Sequence, residues 1–420
     1  MTAPALGCIA DDYTGGTDVA AALRRSGLST ALLFGPPDDE TVLPDCDAVV
    51  VALKTRTAPR AQAISQHLAV HRWLAGQGVT RFYVKYCSTF DSTARGNIGP
   101  TVDAVMEAAD AAVTVVCPAA PEHGRTVYQG HLFVGSRLLS DSPMRHHPLT
   151  PMTESDLVRL LAPQTPHPVG LLPHAVIQQG PAAIRSELSA LRRQGIRHAV
   201  VDALNDDDLD MIALAADDLP VLTGAAGLAR AVGDLISADG GGGRTRETPP
   251  FPEGPGLVLS GSCSAATLRQ LAQAAAALPS HRIDPVTTPD PELLRKDALE
   301  WLDAHVRAGN GPALVYSSAP PNERDGRALG DGTGEALERI LADVARHAAG
   351  LGFRRIVVAG GETSGAVLNA LGVRSVVVAA EADRGVPWCL TTTGPAMALL
   401  LKSGNFGADD LLVRAIKAAP

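Results

Sequence analysis

The chain has 420 residues, with 36 Lys or Arg against 45 Asp or Glu, a net charge of −9 with histidine neutral, 45% hydrophobic residues and 4% aromatic ones. That charge argues against a nucleic-acid binder, and the composition excludes a disordered, collagen-like or coiled-coil chain. At roughly 100–200 residues per domain the length predicts two or three domains, and a chain rich in Ala and Val but poor in aromatics suits helices packed on a buried parallel sheet.

Short β-branched runs alternate with longer amphipathic stretches rich in Ala and Leu, the βαβα pattern of an α/β protein. Strands are predicted at 6–10, 48–53, 81–86, 113–117, 198–202 and 220–223. Between Ser237 and Pro255 four consecutive glycines and then four prolines break any helix or central strand, which predicts a linker over 237–255. The pattern restarts with strands at 257–260, 313–317, 355–359 and 375–379. The expected architecture is therefore two α/β domains, 1–236 and 256–420, each a mostly parallel sheet flanked by helices.

The six cysteines, Cys8, Cys46, Cys87, Cys117, Cys263 and Cys389, form no C-x-x-C pair. Neither a zinc knuckle nor a disulfide framework is expected, and a reducing cytoplasm is the expected compartment. No basic leader precedes Asp11 and no apolar run approaches the roughly 18 residues that span a bilayer, so neither signal peptide nor membrane segment is expected.

The first segment with chemical promise is Cys8 to Asp18, a strand ending in Asp11 and Asp12 that runs through Thr-Gly-Gly into a helix. Ligands of parallel sheets bind at such carboxyl ends, and adjacent acids call for a cation or a ligand hydroxyl between them. The plainer alternative is that one acid caps the helix. Lys54-Thr55-Arg56-Thr57 follows the strand at 48–53, so Arg56 is a candidate to grip a carboxylate, or else to pair with Asp11 or Asp12. The third segment, Lys85-Tyr86-Cys87-Ser88-Thr89-Phe90-Asp91, packs a lysine, hydroxyls and an acid behind a strand, either as a cradle for an oxyanion or as an ordinary polar loop. Only five of the 36 basic residues are Lys, and Lys54, Lys85 and Lys402 all fall in segments of interest, which hints at a need for compact ammonium groups.

Residues 121–126 and 142–152, with Arg125, His146 and His147, read as an irregular, proline-fixed wall of a polar pocket. Adjacent histidines in an extended chain point to opposite sides, so no zinc site is expected there. In the second domain Ser262, the turn Gly360-Gly361-Glu362-Thr363, and Lys402-Ser403-Gly404 each suit the approach of backbone amides to a phosphate at a helix N-terminus, or are merely tight connections. No Walker loop, no dinucleotide G-x-G-x-x-G after a strand, and no G-x-S-x-G elbow occurs.

Taken together, ADDYTGGTD, KYCSTFDSTARGNIGP, PEHGRTVYQGHLFVG with SPMRHHPLTPMT, SGSCSAAT, AGGETSGAVLNALGV and LKSGNFG resemble, in order and across nearly the whole chain, the four-carbon acid sugar kinase family, most closely its 3-oxo-tetronate branch. The stretch 379–387 departs from the family pattern. The resemblance implies a substrate-binding N-terminal domain, a C-terminal nucleotide domain, ATP and Mg²⁺ as cofactors, and phosphorylation of the 4-hydroxyl of a 3-oxo sugar acid. It implies substrate contacts at Asp11, Asp12, Arg56 and Lys85 to Ser88, and ATP contacts at Ser262, Gly360, Gly361, Glu362, Thr363 and Gly404. Arg125 and His147 join the candidate substrate residues, and Lys402 the nucleotide residues. Lys85 is a candidate catalytic residue, and Asp12 and Asp91 are both candidates for the base that takes the hydroxyl proton. The metal ligands stay open. The expected partner is a small sugar acid, with neither nucleic acid nor membrane, and a homodimer is the candidate assembly. Kinases of D-threonate or erythronate, and a non-catalytic sugar-acid sensor, are the alternatives.

Overall fold

The computed structural model describes residues 3–38, 40–147, 149–241, 250–320 and 332–417. The chain divides into two compact units, Met1–Arg246 and Glu247–Pro420. Residues 242–249 of the expected linker lie outside the described residues.

In the first unit β1 (Leu6–Ala10), β2 (Thr30–Phe34), β3 (Ala48–Ala52), β4 (Phe82–Lys85), β5 (Thr114–Cys117), β9 (Val169–Leu172), β10 (His198–Val201) and β11 (Val221–Gly224) form a parallel sheet in the order β2-β3-β1-β4-β11-β5-β10-β9. The apolar runs explain the choice of a parallel sheet: β3 reads Ala-Val-Val-Val-Ala and is buried at every position, as strands covered on both faces must be. β1 is flanked by β3 on one side and β4 on the other, so the strand order reverses between β1 and β4. Asp11 and Lys85 thus emerge side by side at a switch point, the crevice where open α/β sheets bind ligands.

Of the two stretches expected to be irregular, 121–126 and 142–152, the first runs into a strand at Arg125. Three short strands, β6 (Arg125–Tyr128), β7 (His131–Val134) and β8 (Arg137–Leu138), form an antiparallel sheet, followed by a 3₁₀ turn over Pro143–His146. The hairpin turns on Gln129 and Gly130, whose φ values of 51° and 74° suit a two-residue primed turn. Asp202 holds that turn by accepting from both amides, at 2.7 and 2.8 Å.

The second unit contains β12 (Gly256–Ser260), β13 (Ser280–Arg282), β14 (Ala313–Tyr316), β15 (Arg355–Ala359), β16 (Ser375–Asp383), β17 (Val386–Thr391) and β18 (Ala398–Lys402), in the order β13-β14-β12-β15-β18-β17-β16. The pairings are parallel as far as β18, while β16 and β17 join antiparallel. The unusual stretch 379–387 is the bulged hairpin between β16 and β17. Here the order reverses between β12 and β15, which sets the turns after Ser260 and Ala359 side by side.

Candidate active site

Asp12 ends β1 as the N-cap of helix Tyr13–Arg25: its Oδ1 accepts from the Gly15 amide at 3.0 Å and its Oδ2 from the Thr14 hydroxyl at 2.7 Å. Arg56 reaches it from the loop after β3. Its Nε and Nη2 donate to the two oxygens of Asp11, each at 2.9 Å, and Nη2 also donates to Asp12 Oδ1 at 2.6 Å. Nη1 lies 3.5 Å from Asp91 Oδ2, the longest of these contacts. Of the two sequence readings of Arg56, this geometry is the pairing with the acids: one guanidinium fork binds three carboxylates.

The electrostatics follow from that fork. Burial pushes the Asp11 carboxyl above its ordinary value by more than Arg56 pulls it down. Burial also raises Asp12, but Arg56, Lys85 and the bonds from Thr14 and Gly15 outweigh it, so Asp12 sits below the ordinary carboxylate range. Lys85 is buried; Nζ donates to the Tyr86 carbonyl at 3.0 Å and lies 3.8 Å from Asp18 Oδ2. Burial alone would lower its pKa, yet Asp18 and Asp12 raise it above the ordinary lysine value, so it is a cation.

The loop after β4 carries the next group. Phe90 and Asp91 have φ of 65° and 42°, a left-handed pair rare outside glycine and found where structure holds a side chain in a special place. The Phe90 ring packs edge-on against Tyr86, 5.5 Å between centroids, and the Tyr86 hydroxyl bonds Thr223 Oγ1 at 3.1 Å. Tyr86 therefore braces the loop from within. Asp91 Oδ1 accepts from the Thr89 hydroxyl at 2.7 Å. Cys87 is pushed up to about 12, by burial first and then by the Asp91 charge, so it remains a thiol. Ser88 is half-buried on the same loop. Asp11, Arg56, Lys85, Tyr86, Asp91 and Asn97 line one small polar pocket, and Asn97 ties it together by donating to the carbonyls of Thr55 and Ala58, both at 2.8 Å.

The structure does not bring every candidate there. His147 accepts from the amide and approaches the hydroxyl of Thr150, at 3.1 and 2.9 Å, a local clasp. Arg125 donates to the His123 carbonyl. The link from that region to the acids is His123, whose Nε2 lies 3.9 Å from Asp18 Oδ1. Asp18 closes the opening motif without a role assigned from sequence; it lies six residues beyond the Asp12 cap, a spacing that does not put the two on one helix face.

In the second unit, Ser262 and Cys263 follow β12 and lead into helix Ala265–Ala277, capped by Ser264 through the Thr267 amide at 3.2 Å. The amides of Gly261 and Ser262 both donate to the Ala359 carbonyl at 3.1 Å, which holds this turn against the one after β15. There Gly360 takes φ 131°, and a Cβ would stand 3.0 Å from Thr363 Oγ1 and 3.2 Å from the Ser262 amide. Gly360→Ala is therefore expected to cost about 1–3 kcal/mol in strain, which thermal melts read.

These turns floor a cleft of about 490 Å³, within the range of small-molecule sites. Its lining also includes Ile283, Pro285 and Val286 after β13, with Leu337 and Leu341 from helix Thr333–Gly350, which sequence reasoning missed. The first three are isolated apolar residues in a loop and carry no periodic signal. Glu362 and Thr363 border the cleft, whereas Lys402 lies fully buried behind it. Among the described residues no three His, Cys, Asp or Glu side chains cluster to hold a metal ion. No described helix is long and apolar enough to cross a membrane.

Residues 6–232 match the family of sugar-binding N-terminal domains and residues 257–412 that of nucleotide-binding C-terminal domains. A 3-oxo-tetronate kinase from Burkholderia multivorans is 45% identical over 99% of this chain and 97% of its own length. The chain belongs to the four-carbon acid sugar kinase family. A second family member, the 3-oxo-tetronate kinase of Pseudomonas fluorescens, is 46% identical over 98% of this chain and 96% of its own. A crystal structure from Salmonella typhimurium LT2, given the working description of a tRNA synthase, shares the fold with a TM-score of 0.88 at 39% identity, over 98% of each chain. The two switch points described above fall one in each of the family's matched regions.

Proposed function

We propose that this chain is an ATP-dependent 3-oxo-tetronate kinase, which transfers the γ-phosphoryl group of ATP to the 4-hydroxyl of the sugar acid. The observation that carries the reading is the near full-length similarity, at 45% and 46% identity, to proteins named for that reaction. The geometry supports it with one polar, charged switch point and one built of glycine turns beside an apolar wall. A net charge of −9 argues against a polyanion such as tRNA as substrate. The proposed setting is the cytoplasm, and the proposed assembly is a homodimer.

The first unit is the proposed substrate domain, up to residue 236, and the second, from residue 256, the proposed nucleotide domain. The sugar acid is assigned to the pocket of Asp11, Lys85 and Asp91, with Cys87 and Ser88 beside it and Arg125 and His147 as outer candidates. Lys85, cationic and held in place by Asp18, offsets the substrate carboxylate, whose repulsion from the phosphates the protein must overcome. Asp91 is the proposed base: its Oδ2 has the long Arg56 contact, whereas both oxygens of Asp12 hold short hydrogen bonds, to Thr14, Gly15 and Arg56. The O4–H proton passes to Asp91 as the oxygen bonds to phosphorus and the bond to ADP breaks.

The polyphosphate is assigned to the turns at Ser262 and Gly360-Gly361, and the base to Ile283 and Leu337. Mg²⁺ neutralises phosphate charge when bound; it draws mainly on phosphate and water oxygens, so one carboxylate such as Glu362 fits without a dedicated protein cage. The test is ADP release from Mg-ATP over a panel of 3-oxo-tetronates, threonate and erythronate. Turnover confined to the 3-oxo acids is expected. Turnover on threonate or erythronate alone would move the substrate assignment, and nucleotide-independent binding of the acids without turnover would favour a sensor.

A further inference from the structure

Lys402 ends β18 with no exposure to solvent. Its Nζ donates to Thr267 Oγ1 at 3.0 Å and to the carbonyls of Ser403 and Gly404, each at 2.9 Å. Three acceptors use all three N–H bonds of an ammonium, so the cage fits the charged form. None of the three is an acid. Among the described residues the neighbouring elements do not supply one: Arg269 of helix Ala265–Ala277 turns out to Asp409 at 3.0 Å, Arg355 of β15 binds the Gly254 carbonyl, and Glu362 of helix Gly361–Ala370 is exposed. Cys389, the titratable group of β17, is pushed up to about 12 by burial. Burial accordingly draws Lys402 down to about 7.

The residue directly over this cation adjoins the proposed phosphate site. Gly404 is pinned through its carbonyl by Ser264 and by Thr267 Oγ1, and a Cβ on it would stand 2.8 Å from Ser262 Oγ. Ser262 lines the cleft. A polyanion there would supply the negative charge that the cage lacks.

We propose that Lys402 is a positioning residue that answers the nucleotide's phosphates from behind the Ser262 and Gly404 turns, and that binding a polyphosphate draws a proton from solvent onto this buried amine. The inference rests on the nucleotide reading of the cleft and deepens it. Phosphate charge stabilises the ammonium, and by reciprocity the ammonium stabilises the bound nucleotide. The bound-state pKa lies above the free one, so affinity is full below the free value and falls as pH rises, by up to about tenfold per unit between the two.

Calorimetric titration of the full chain with Mg-ADP at pH 8, in two buffers of different ionisation heat, reads the proton directly. Wild type is expected to take up a substantial fraction of one proton, and its affinity to fall from pH 7 to 9. Lys402→Met is expected to bind more weakly with no uptake, and Lys402→Arg to bind with a flat pH profile because guanidinium does not titrate. Wild-type binding without uptake would overturn the proposal even if both variants failed to fold, and so would equal uptake in wild type and Lys402→Met. A wild type that binds no Mg-ADP would overturn the nucleotide reading itself.

Discussion

Asp91→Asn is expected to lower kcat by roughly 10²–10⁴-fold, the usual contribution of a general base, with Mg-ATP binding and melting temperature close to wild type. The amide keeps the size of the side chain and can still accept from the Thr89 hydroxyl, which now stands 2.7 Å from Oδ1. What it loses is the basic oxygen at the end of a left-handed loop, whose contact with Arg56 is the long one at 3.5 Å. Asp12→Asn should behave differently. Asp12 lies below the ordinary carboxylate range and caps a helix; Asn is as good a cap as Asp, so its replacement is expected to lose mainly the charge contact with Arg56 and to reduce turnover less. Single-turnover phosphate transfer beside nucleotide binding separates the two variants; near-normal transfer in Asp91→Asn with collapse in Asp12→Asn would reverse the assignment.

The second large effect is on stability. Arg56→Ala strands Asp11 and Asp12 without the guanidinium that both hold at 2.6–2.9 Å, and leaves Asp91 nearby. Removing one partner of such a buried network costs about 3–5 kcal/mol. Arg56→Lys should recover little of it, because an ammonium cannot reproduce the two-pronged grip on Asp11. The pH dependence carries a definite sign. In the wild type Asp12 titrates below its unfolded value, so its contribution is present at neutral pH and lost on acidification. Without Arg56 the carboxyls rise, so the variant should regain stability relative to wild type as pH falls from 7 towards the carboxylate range. Urea titrations at several pH values check this, and a gap that widens on acidification would contradict it.

Much of the architecture could be read in advance because parallel strands announce themselves as apolar runs. β1, β3 and β15 are such runs, and each ends in residues that break the apolar pattern: two acids, a Lys-Thr-Arg loop, paired glycines. Their meeting at two switch points follows from strand order, which the sequence pattern does not contain. β2 escaped notice because Thr-Ala-Leu-Leu-Phe is short and equally suited to a helix, and β17 and β18 because β17 opens after a turn without strong punctuation and runs antiparallel. The irregular reading of 121–126 failed at Arg125 and Thr126, which open a strand whose hairpin turn needs Gln129 in a conformation usually left to glycine or asparagine, with Asp202, some seventy residues on, holding it. The same limit applies to chemistry. Arg56, Asp12 and Asp91 were each visible as candidates, but which oxygens the guanidinium occupies, and therefore which acid is left to act as base, depends on contacts across 35 to 45 residues. Lys402 stood out by the scarcity of lysine, yet its burial behind the cleft had no sequence signal.

The most direct test of the central claim is to follow the phosphorus itself. Wild-type chain, Mg-ATP and a 3-oxo-tetronate are incubated together and the mixture is examined by ³¹P–¹H correlation. The account predicts ADP and, in equal amount, a phosphomonoester whose phosphorus couples to the two protons on C4. ADP accompanied only by inorganic phosphate, a phosphoryl group on another carbon, or unchanged ATP would contradict it.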